Sequence, residues 1–558
     1  MSAPGIVFTA TRPPAPPASS RADIALFAGL IARRQGPLPK GLLETLAADA
    51  PAAEAGGFFD ERLLGVPVRI DSWDQFDRLF DWTQRSRVPG STDTVPAALG
   101  LAVRQFFLQG GSAAYVVRCG DPLPVADPEA SPEAYRTARG NALSGKAAPE
   151  QDRVPILPGL QNRSNPADPL DPASWLGAAA IFGVMDAAML VLPDVADLTA
   201  EPLEAAPEFV PVLGQTEQWR PCAPAAGESD MLPARPAVQQ FLAPRFGQDA
   251  YRRWSQAVSY GLTMLGRPRG PAHRRDVMLV SALPLPQQTT DLPERIANWP
   301  LPLLDREGYA GTEAAPLALF DEAAIGNARL QLGYPWMKTP EAAACPEGLQ
   351  SPEGALAGIL ARSALEKGAF RSAANSELRG PVLLHPSLAL NDRNRGYERP
   401  AGGGNEHAVN RADWLGDRLC LFEARRGAVR MISDATFAQS RAWRSGGVSR
   451  LMGIVLRAAR HLGEDLMFEP SGPRLWRGCA DRMIAILERL RTMGAFSGAS
   501  ARECYRVTCD RSTMTASDID AGRVRCDVVL NPASPIERIE VNLALIEPLP
   551  SQSTREAA

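Results

Sequence analysis

The alternation of apolar and polar residues is clearest towards the end of the sequence. Apolar residues recur at helical spacing over residues 451–462, and Gly463 is the expected end of that helix. A second helix is predicted to begin near Arg474 and to end at Gly494. Three strand-like runs follow, at residues 504–509, 524–530 and 539–546. The pattern predicts a small packing unit of two helices and a sheet.

Earlier in the chain, apolar strands alternate with amphipathic helices. Strands are predicted at residues 66–70, 113–118, 188–192 and 276–283. Helices are predicted at residues 96–108 and 251–265. This alternation is typical of an α/β fold with a largely parallel sheet. Two further segments, residues 355–363 and 381–390, are expected to continue it.

Two stretches lack this periodicity. Residues 1–20 combine a short apolar segment with a stiff proline-rich tether at residues 13–17. They are either a frayed terminus or an arm whose short strand pairs elsewhere. Residues 120–172 are rich in proline, alanine and polar groups, and we predict an irregular insertion or surface loop there.

Composition narrows the class of protein. The chain has 558 residues, too many for one ordinary core, so two to four domains are expected. A net charge of −4 gives no reason to expect nucleic acid as a partner. The first residues lack the basic and apolar regions of a Sec signal. The longest apolar stretch, residues 176–192, is interrupted by Asp186, so no membrane insertion is expected.

The sequence offers little for catalysis, cofactors or metals. The 8 cysteines are scattered without a CxxC pair, which predicts buried free thiols and no metal site. Nucleophile-elbow, P-loop, zinc-protease and dinucleotide-binding motifs are absent from the sequence. The three glycines at residues 402–404 are weak evidence for a phosphate-binding loop, and the pattern favours a flexible turn. We therefore predict no catalytic residue and no cofactor.

The second helix near the end of the chain carries a row of arginines. On a helical wheel Arg474, Arg482 and Arg489 lie opposite Trp476 and Met483. The row is either a solvated face or a docking face for an acidic partner.

Within this last block, several short motifs occur in a specific order and spacing. In this order and spacing they resemble the tail sheath proteins of contractile phages and of phage-tail-like contractile injection systems. The motif residues are Phe468-Glu469-Pro470, Leu475-Trp476, residues 494–498, Tyr505-Arg506-Val507, residues 517–522 and residues 531–537. Weaker agreement covers most of the remaining chain, including residues 4–7, 106–111, 334–336 and 373–375.

The resemblance implies a multidomain fold of mixed α/β and α+β class. Its parts would be a subtilisin-like α/β middle domain without protease activity, a C-terminal sheath domain of helices and a small β-sheet, and extended terminal arms. The expected divisions are an arm at 1–20, the N-terminal part of the body at 21–119, the insertion at 120–172, the middle domain at 173–425 and the C-terminal domain at 426–558.

In this family, strands at the two chain ends add to sheets of neighbouring subunits, which implies a helical lattice around an inner tube. The candidate arm-strand residues are Gly5, Ile6, Val7 and Phe8, with Val541, Leu543 and Leu545. The arginine row becomes a candidate contact with the inner tube. Implied partners are further copies of the chain, the tube protein, baseplate and cap proteins, and sheath paralogues, assembled in a bacterial cytoplasm.

Residues 391–440 depart from the usual sheath sequence. The chain is therefore either the main sheath subunit or a paralogue at the baseplate or cap end that does not polymerise. An α/β hydrolase is a third reading, and it would require a nucleophile beside a base such as His385 or His407.

Overall fold

The computed structural model describes residues 21–39, 42, 62–145, 153–160, 167–203, 241–266, 273–286, 328–386, 416, 418–425, 427–438 and 441–533. Within these ranges every helix is too short or too polar to cross a membrane.

An eight-stranded mixed sheet organises the body. Its strands are β1 (Ile24–Gly29), β2 (Val68–Ile70), β3 (Ala113–Arg118), β4 (Met189–Val191), β5 (Met278–Ala282), β6 (Leu330–Tyr334), β7 (Cys420–Arg425) and β8 (Ala428–Met431). Their order across the sheet is β8-β7-β6-β5-β4-β1-β3-β2. The six central strands run parallel, and the edge strands β2 and β8 pair antiparallel to their neighbours. The predicted parallel sheet is confirmed.

Helices cover both faces of this sheet. The helices in chain order are α1 (Trp73–Leu79), α2 (Ala98–Gln109), α3 (Pro132–Ser144), α4 (Val195–Thr199), α5 (Gln248–Gly266), α6 (Glu353–Glu366), α7 (Gly446–Asp465), α8 (Pro473–Thr492), α9 (Ala501–Cys504) and α10 (Ala516–Asp520).

Strand β1 shows why two layers form. Its alternate residues Ile24 and Leu26 enter the apolar cluster that contains α3 and α5. Ala25 and Phe27 enter the opposite cluster, with α1, α2 and α6. Both faces of a parallel strand are buried in this way, so its sequence is continuously apolar.

The prediction of an irregular segment at residues 120–172 is wrong for residues 132–144, which form helix α3. Helix α3 begins at a Ser131 cap, whose hydroxyl accepts a hydrogen bond from the Ala134 amide at 3.2 Å. Tyr135 and Leu143 are buried on its inner face, together with the charged Arg139. The apolar periodicity of the sequence does not reveal this helix, because Arg139 occupies one of its buried positions.

Two smaller predictions also need correction. The strand Leu383–His385 belongs to a separate antiparallel sheet with Trp336–Lys338 and Leu349–Gln350, and does not continue the parallel sheet. Helix α7 runs past Gly463 to Asp465, with Leu466 as its cap. Gly463 adopts no positive φ, so it does not end the helix.

The other short strands lie at the periphery. They are Ala32–Arg33 with Phe80–Asp81, Arg85–Ser86 with Thr94–Val95, and Arg245–Phe246 with Leu285–Pro286.

Candidate functional site

Helices α7 and α8 and a two-stranded sheet form a unit at the end of the described chain, here called the C-terminal unit (residues 446–533). The sheet consists of β9 (Tyr505–Thr508) and β10 (Asp527–Leu530). Leu451 and Ile454 of α7 pack against Met483 and Leu487 of α8 in one apolar cluster. The predicted helix pair and the first two predicted strands are confirmed.

The C-terminal unit is fastened to the body by arginines along α7. Arg450 forms an ion pair with Asp434 at 2.6 Å, and both side chains are almost completely buried. Asp434 also accepts hydrogen bonds from the Ala373 amide at 2.7 Å and from Gln331 at 2.8 Å. Burial opposes ionisation of Asp434, but Arg450 outweighs it and the pKa of the carboxyl is lowered.

A second cluster lies further along α7, around Asp276 at the start of β5. Its carboxylate is 2.9 Å from Arg460 and 3.7 Å from Arg457, both on α7, and 3.3 Å from Arg274. Burial of Asp276 is outweighed by the charge of Arg274 and the hydrogen bond from Arg460, so its pKa falls to about 2. One carboxylate compensates three guanidinium groups here, and burial lowers the pKa of Arg457 to about 10.

Close backbone approach completes this junction. A Cβ added at Gly453, inside α7, would lie 2.7 Å from the carbonyl oxygen of Asp276. Gly463, two turns or more further along the same helix, has no such neighbour within 4 Å. Helix α7 therefore packs closely against the backbone of the body at Gly453, whereas Gly463 has room for a side chain.

The two-stranded sheet packs on α8 with one face. Tyr505, Val507, Val528 and Leu530 contact the apolar cluster of the helix pair. The hydroxyl of Tyr505 donates to Glu488 of α8 at 2.7 Å. Val529, on the opposite face, is 61% exposed. Among the described residues no third strand pairs with either outer edge of this sheet, and an isolated antiparallel bridge between Phe496 and Pro532 extends the pairing beyond β10.

Several of the resemblance motifs frame this sheet. Tyr505-Arg506-Val507 lies within β9, and residues 517–522 cover most of α10 and its end. Asn531 follows β10, and its side-chain amide donates to the carbonyl of Ser497 at 2.8 Å. The Ser497 amide in turn donates to the carbonyl of Asn531 at 2.9 Å.

The predicted arms begin next to this unit. Ala22 belongs to the same apolar cluster as Ala495 and Phe496. Arg21 forms an ion pair with Asp23 at 2.6 Å and donates to Ser112 at 3.1 Å. At the other end, the amide of Ala533 donates to the carbonyl of Ala495 at 3.0 Å. The arm-strand residues themselves, Gly5 to Phe8 and Val541, Leu543 and Leu545, lie outside the described residues.

The arginine row on α8 points away from the core. Arg474, Arg482 and Arg489 are exposed, while Trp476 and Met483 are buried as the wheel predicts. Within the described residues none of the three arginines forms an ion pair with an acidic side chain. The three guanidinium groups form an exposed row on α8, with the exposed Asp481 next to Arg482.

Three cysteines that look scattered in the sequence meet in the C-terminal unit. Cys479 on α8, Cys509 after β9 and Cys526 before β10 have sulfur atoms within 4.8 Å of one another. A hydrogen bond with Cys526, aided by Cys509 and the charge of Arg482, lowers the pKa of Cys479 to about 6. Burial raises the pKa of Cys509 to about 11. In the sequence, Cys509 and Cys526 lie within the predicted strands at residues 504–509 and 524–530, but the pairing that brings them together is seen only in the structure.

The residues named for a hydrolase lie apart from this unit. His385 is on the three-stranded sheet, where burial and the charge of Arg245 lower the pKa of its imidazole. In the described part of the chain no serine or cysteine side chain is hydrogen-bonded to it. His407 lies outside the described residues.

Among the comparisons with known proteins, the solved structures provide matches to this chain. No family model matches the chain, and no curated protein matches it. A chain of the anti-feeding prophage baseplate in the contracted state is 17% identical with a TM-score of 0.52, over 98% of this chain and 99% of that one. A chain of the six-fold symmetrised baseplate of the same particle is 16% identical with a TM-score of 0.51, over 98% and 100%. A chain of the contracted PVC sheath complex of an extracellular contractile injection system is 15% identical with a TM-score of 0.48, over 98% of each chain. This chain therefore shares the mixed α/β fold of the two baseplate chains along nearly its whole length.

Proposed function

We propose that this protein is a structural subunit of a contractile tail sheath, which polymerises helically around an inner tube. The observation that carries the proposal is the free two-stranded sheet of the C-terminal unit. No third strand pairs with either of its outer edges in the described residues, and both predicted arms start from the apolar cluster on which it packs. Strand addition at such edges joins subunits through backbone hydrogen bonds.

Two further observations support the same function. The motifs that resemble tail sheath proteins frame this sheet, and the fold is shared with chains of the anti-feeding prophage baseplate. Under this proposal the body contains the subtilisin-like middle domain that the resemblance implies. No catalytic residue is assigned.

In the proposed mechanism, contraction is a rigid-body rotation of subunits between two lattices. The arm strands stay paired while the bodies slide and repack, and the work comes from contacts that differ between the lattices. The two buried ion-pair clusters on α7 let the C-terminal unit and the body move as one piece. Their role is to transmit force from the paired arm strands between subunits to the body.

The arginine row of α8 is proposed to contact the inner tube. Arg474, Arg482 and Arg489 are exposed and without acidic partners in the described residues. An acidic strip on the tube would complement them, and such contacts steer association more than they strengthen it.

The experiment compares two disruptive variants with a conservative one. Deletion of residues 1–9, or the pair Val541→Pro and Leu543→Pro, is expected to abolish sheath assembly while the body stays folded, because proline removes the amide that a sheet requires. The control pair Val541→Ile and Leu543→Val keeps both amides and should assemble. Sheaths of normal length in electron micrographs of the disruptive variants would contradict the proposal.

A second candidate is a subunit confined to the baseplate end of the sheath. It is favoured by one observation, that two solved structures which match with TM-scores above 0.5 are baseplate assemblies. The two candidates differ in the particle that forms with tube protein, which is a long helical sheath for the first and a single closed ring for the second.

A further inference from the structure

The cysteine cluster of the C-terminal unit is built by three separate elements. The pairing of β9 with β10 places Thr508 opposite Asp527, so Cys509 and Cys526 are the next pair beyond the last pairing in the ladder. Cys479 lies on α8, between the buried Trp476 and Met483. The fold therefore brings a thiol from the helix beneath two thiols from the end of the sheet.

The spacing of the sulfurs suits a shared metal ion. Zinc binds thiolates at about 2.3 Å, so tetrahedral ligands lie about 3.8 Å apart. The three Sγ atoms lie within 4.8 Å of one another, in reach of this spacing with small side-chain adjustments. A disulfide would join two of these sulfurs and leave the third without a function.

We propose that Cys479, Cys509 and Cys526 bind one zinc ion through their three thiolates. Thiolates are soft ligands that zinc accepts readily, and three of them leave one position of the tetrahedron for a water molecule or a ligand from outside the chain. Cys509 is buried, whereas Cys479 and Cys526 are partly exposed, so the open position faces the solvent side. Three thiolates and one zinc ion carry a net negative charge, and Arg482 follows Cys479 by three positions on α8, where side chains of a helix are neighbours.

The surroundings give the metal a structural role. The small apolar cluster at this end of the unit has three buried members, Trp476, Cys509 and Met514. The connection between Cys509 and Cys526 is mostly exposed, apart from Met514 and Asp518. Small units with thin cores are commonly stabilised by a structural metal. The zinc site would fasten this connection and the sheet end to α8, and it stands independently of the proposed sheath function.

The test measures metal in the full chain, purified without an affinity tag that binds metal and under reducing conditions. Wild type is expected to contain about one zinc per chain, and cobalt exchanged into the site is expected to show thiolate-to-cobalt charge-transfer absorption. Cys526→Ser and Cys479→Ser should lose the zinc and the cobalt absorption. Cys345→Ser, at a partly buried cysteine outside the cluster, is the matched control and should keep both.

A second measurement covers the case in which a serine variant unfolds. Chelation of zinc from the wild-type chain is expected to increase amide hydrogen exchange across residues 510–525 and to leave the central strands of the body unchanged. Wild-type protein that retains no zinc after loading with zinc and removal of excess would overturn the proposal. A Cys509–Cys526 disulfide that persists in the chain purified under reducing conditions, or retention of copper with no zinc, would overturn it equally.

Discussion

Asp276→Asn tests whether the buried ion cluster holds α7 on the body. The substitution keeps the size of the side chain and removes the negative charge that forms ion pairs with Arg274, Arg457 and Arg460. Arg274 and Arg457 are almost fully buried, with side chains 1% and 2% exposed. Removing one partner of a buried ion pair costs about 3–5 kcal/mol, because the remaining charges are left uncompensated.

The pKa of Asp276 gives a second, independent magnitude. A fall from 3.8 to about 2 corresponds to about 2 kcal/mol at 1.36 kcal/mol per unit. Because the folded-state pKa is lowered, this stabilisation is present above about pH 4 and is lost as the pH falls through about 2. The Asn variant lacks this pH dependence.

The assay is native-state hydrogen exchange of the α7 amides in the unassembled full chain. Their opening free energy is expected to fall by about 2–5 kcal/mol in Asp276→Asn at neutral pH. Asp481→Asn, at an exposed position on α8, is the matched control and should change it by less than about 0.5 kcal/mol. A fall of less than about 1 kcal/mol in Asp276→Asn would refute the assigned role of the cluster.

Three further predictions follow from the same structure. Gly453→Ala should lower the opening free energy of α7 by about 1–3 kcal/mol, because the added methyl group overlaps the carbonyl oxygen of Asp276. Gly463→Ala on the same helix should raise it by up to about 1 kcal/mol, because alanine favours the helix and meets no neighbour there. Equal effects at both glycines would contradict the close approach at Gly453. Reversing the charge of Arg474, Arg482 and Arg489 to Glu should weaken binding to tube protein in co-sedimentation while the circular dichroism of the chain is unchanged, and unimpaired binding would remove the arginine row from the tube interface. Val529→Lys on the open face of the small sheet should leave the monomer folded, since that side chain is 61% exposed, and should reduce assembly measured by light scattering if subunits cover this face.

Local patterns in the sequence predict much of this fold. The parallel sheet follows from continuous apolar runs such as residues 113–118, and the helix pair from the regular spacing around Leu451 and Met483. Helix α3 and the true end of α7 were missed for local reasons. A buried arginine breaks the apolar period of the first, and a glycine in ordinary helical conformation imitates a stop in the second.

The site could be predicted only in part, because it depends on contacts between distant residues. Asp276 and Arg457 are separated by 181 positions, and no local pattern reveals that they meet. The cysteine cluster depends on the register of β9 and β10, which becomes visible only once Thr508 is paired with Asp527. Charge pairs and thiol clusters of this kind are set by the topology and not by sequence spacing.

The most direct test of the proposed sheath function is electron microscopy of the full chain expressed together with its tube protein. The proposal predicts regular helical sheaths around the tubes, with density for strands added to both edges of the β9–β10 sheet. Monomers beside naked tubes, or single closed rings that do not extend into a sheath, would contradict it.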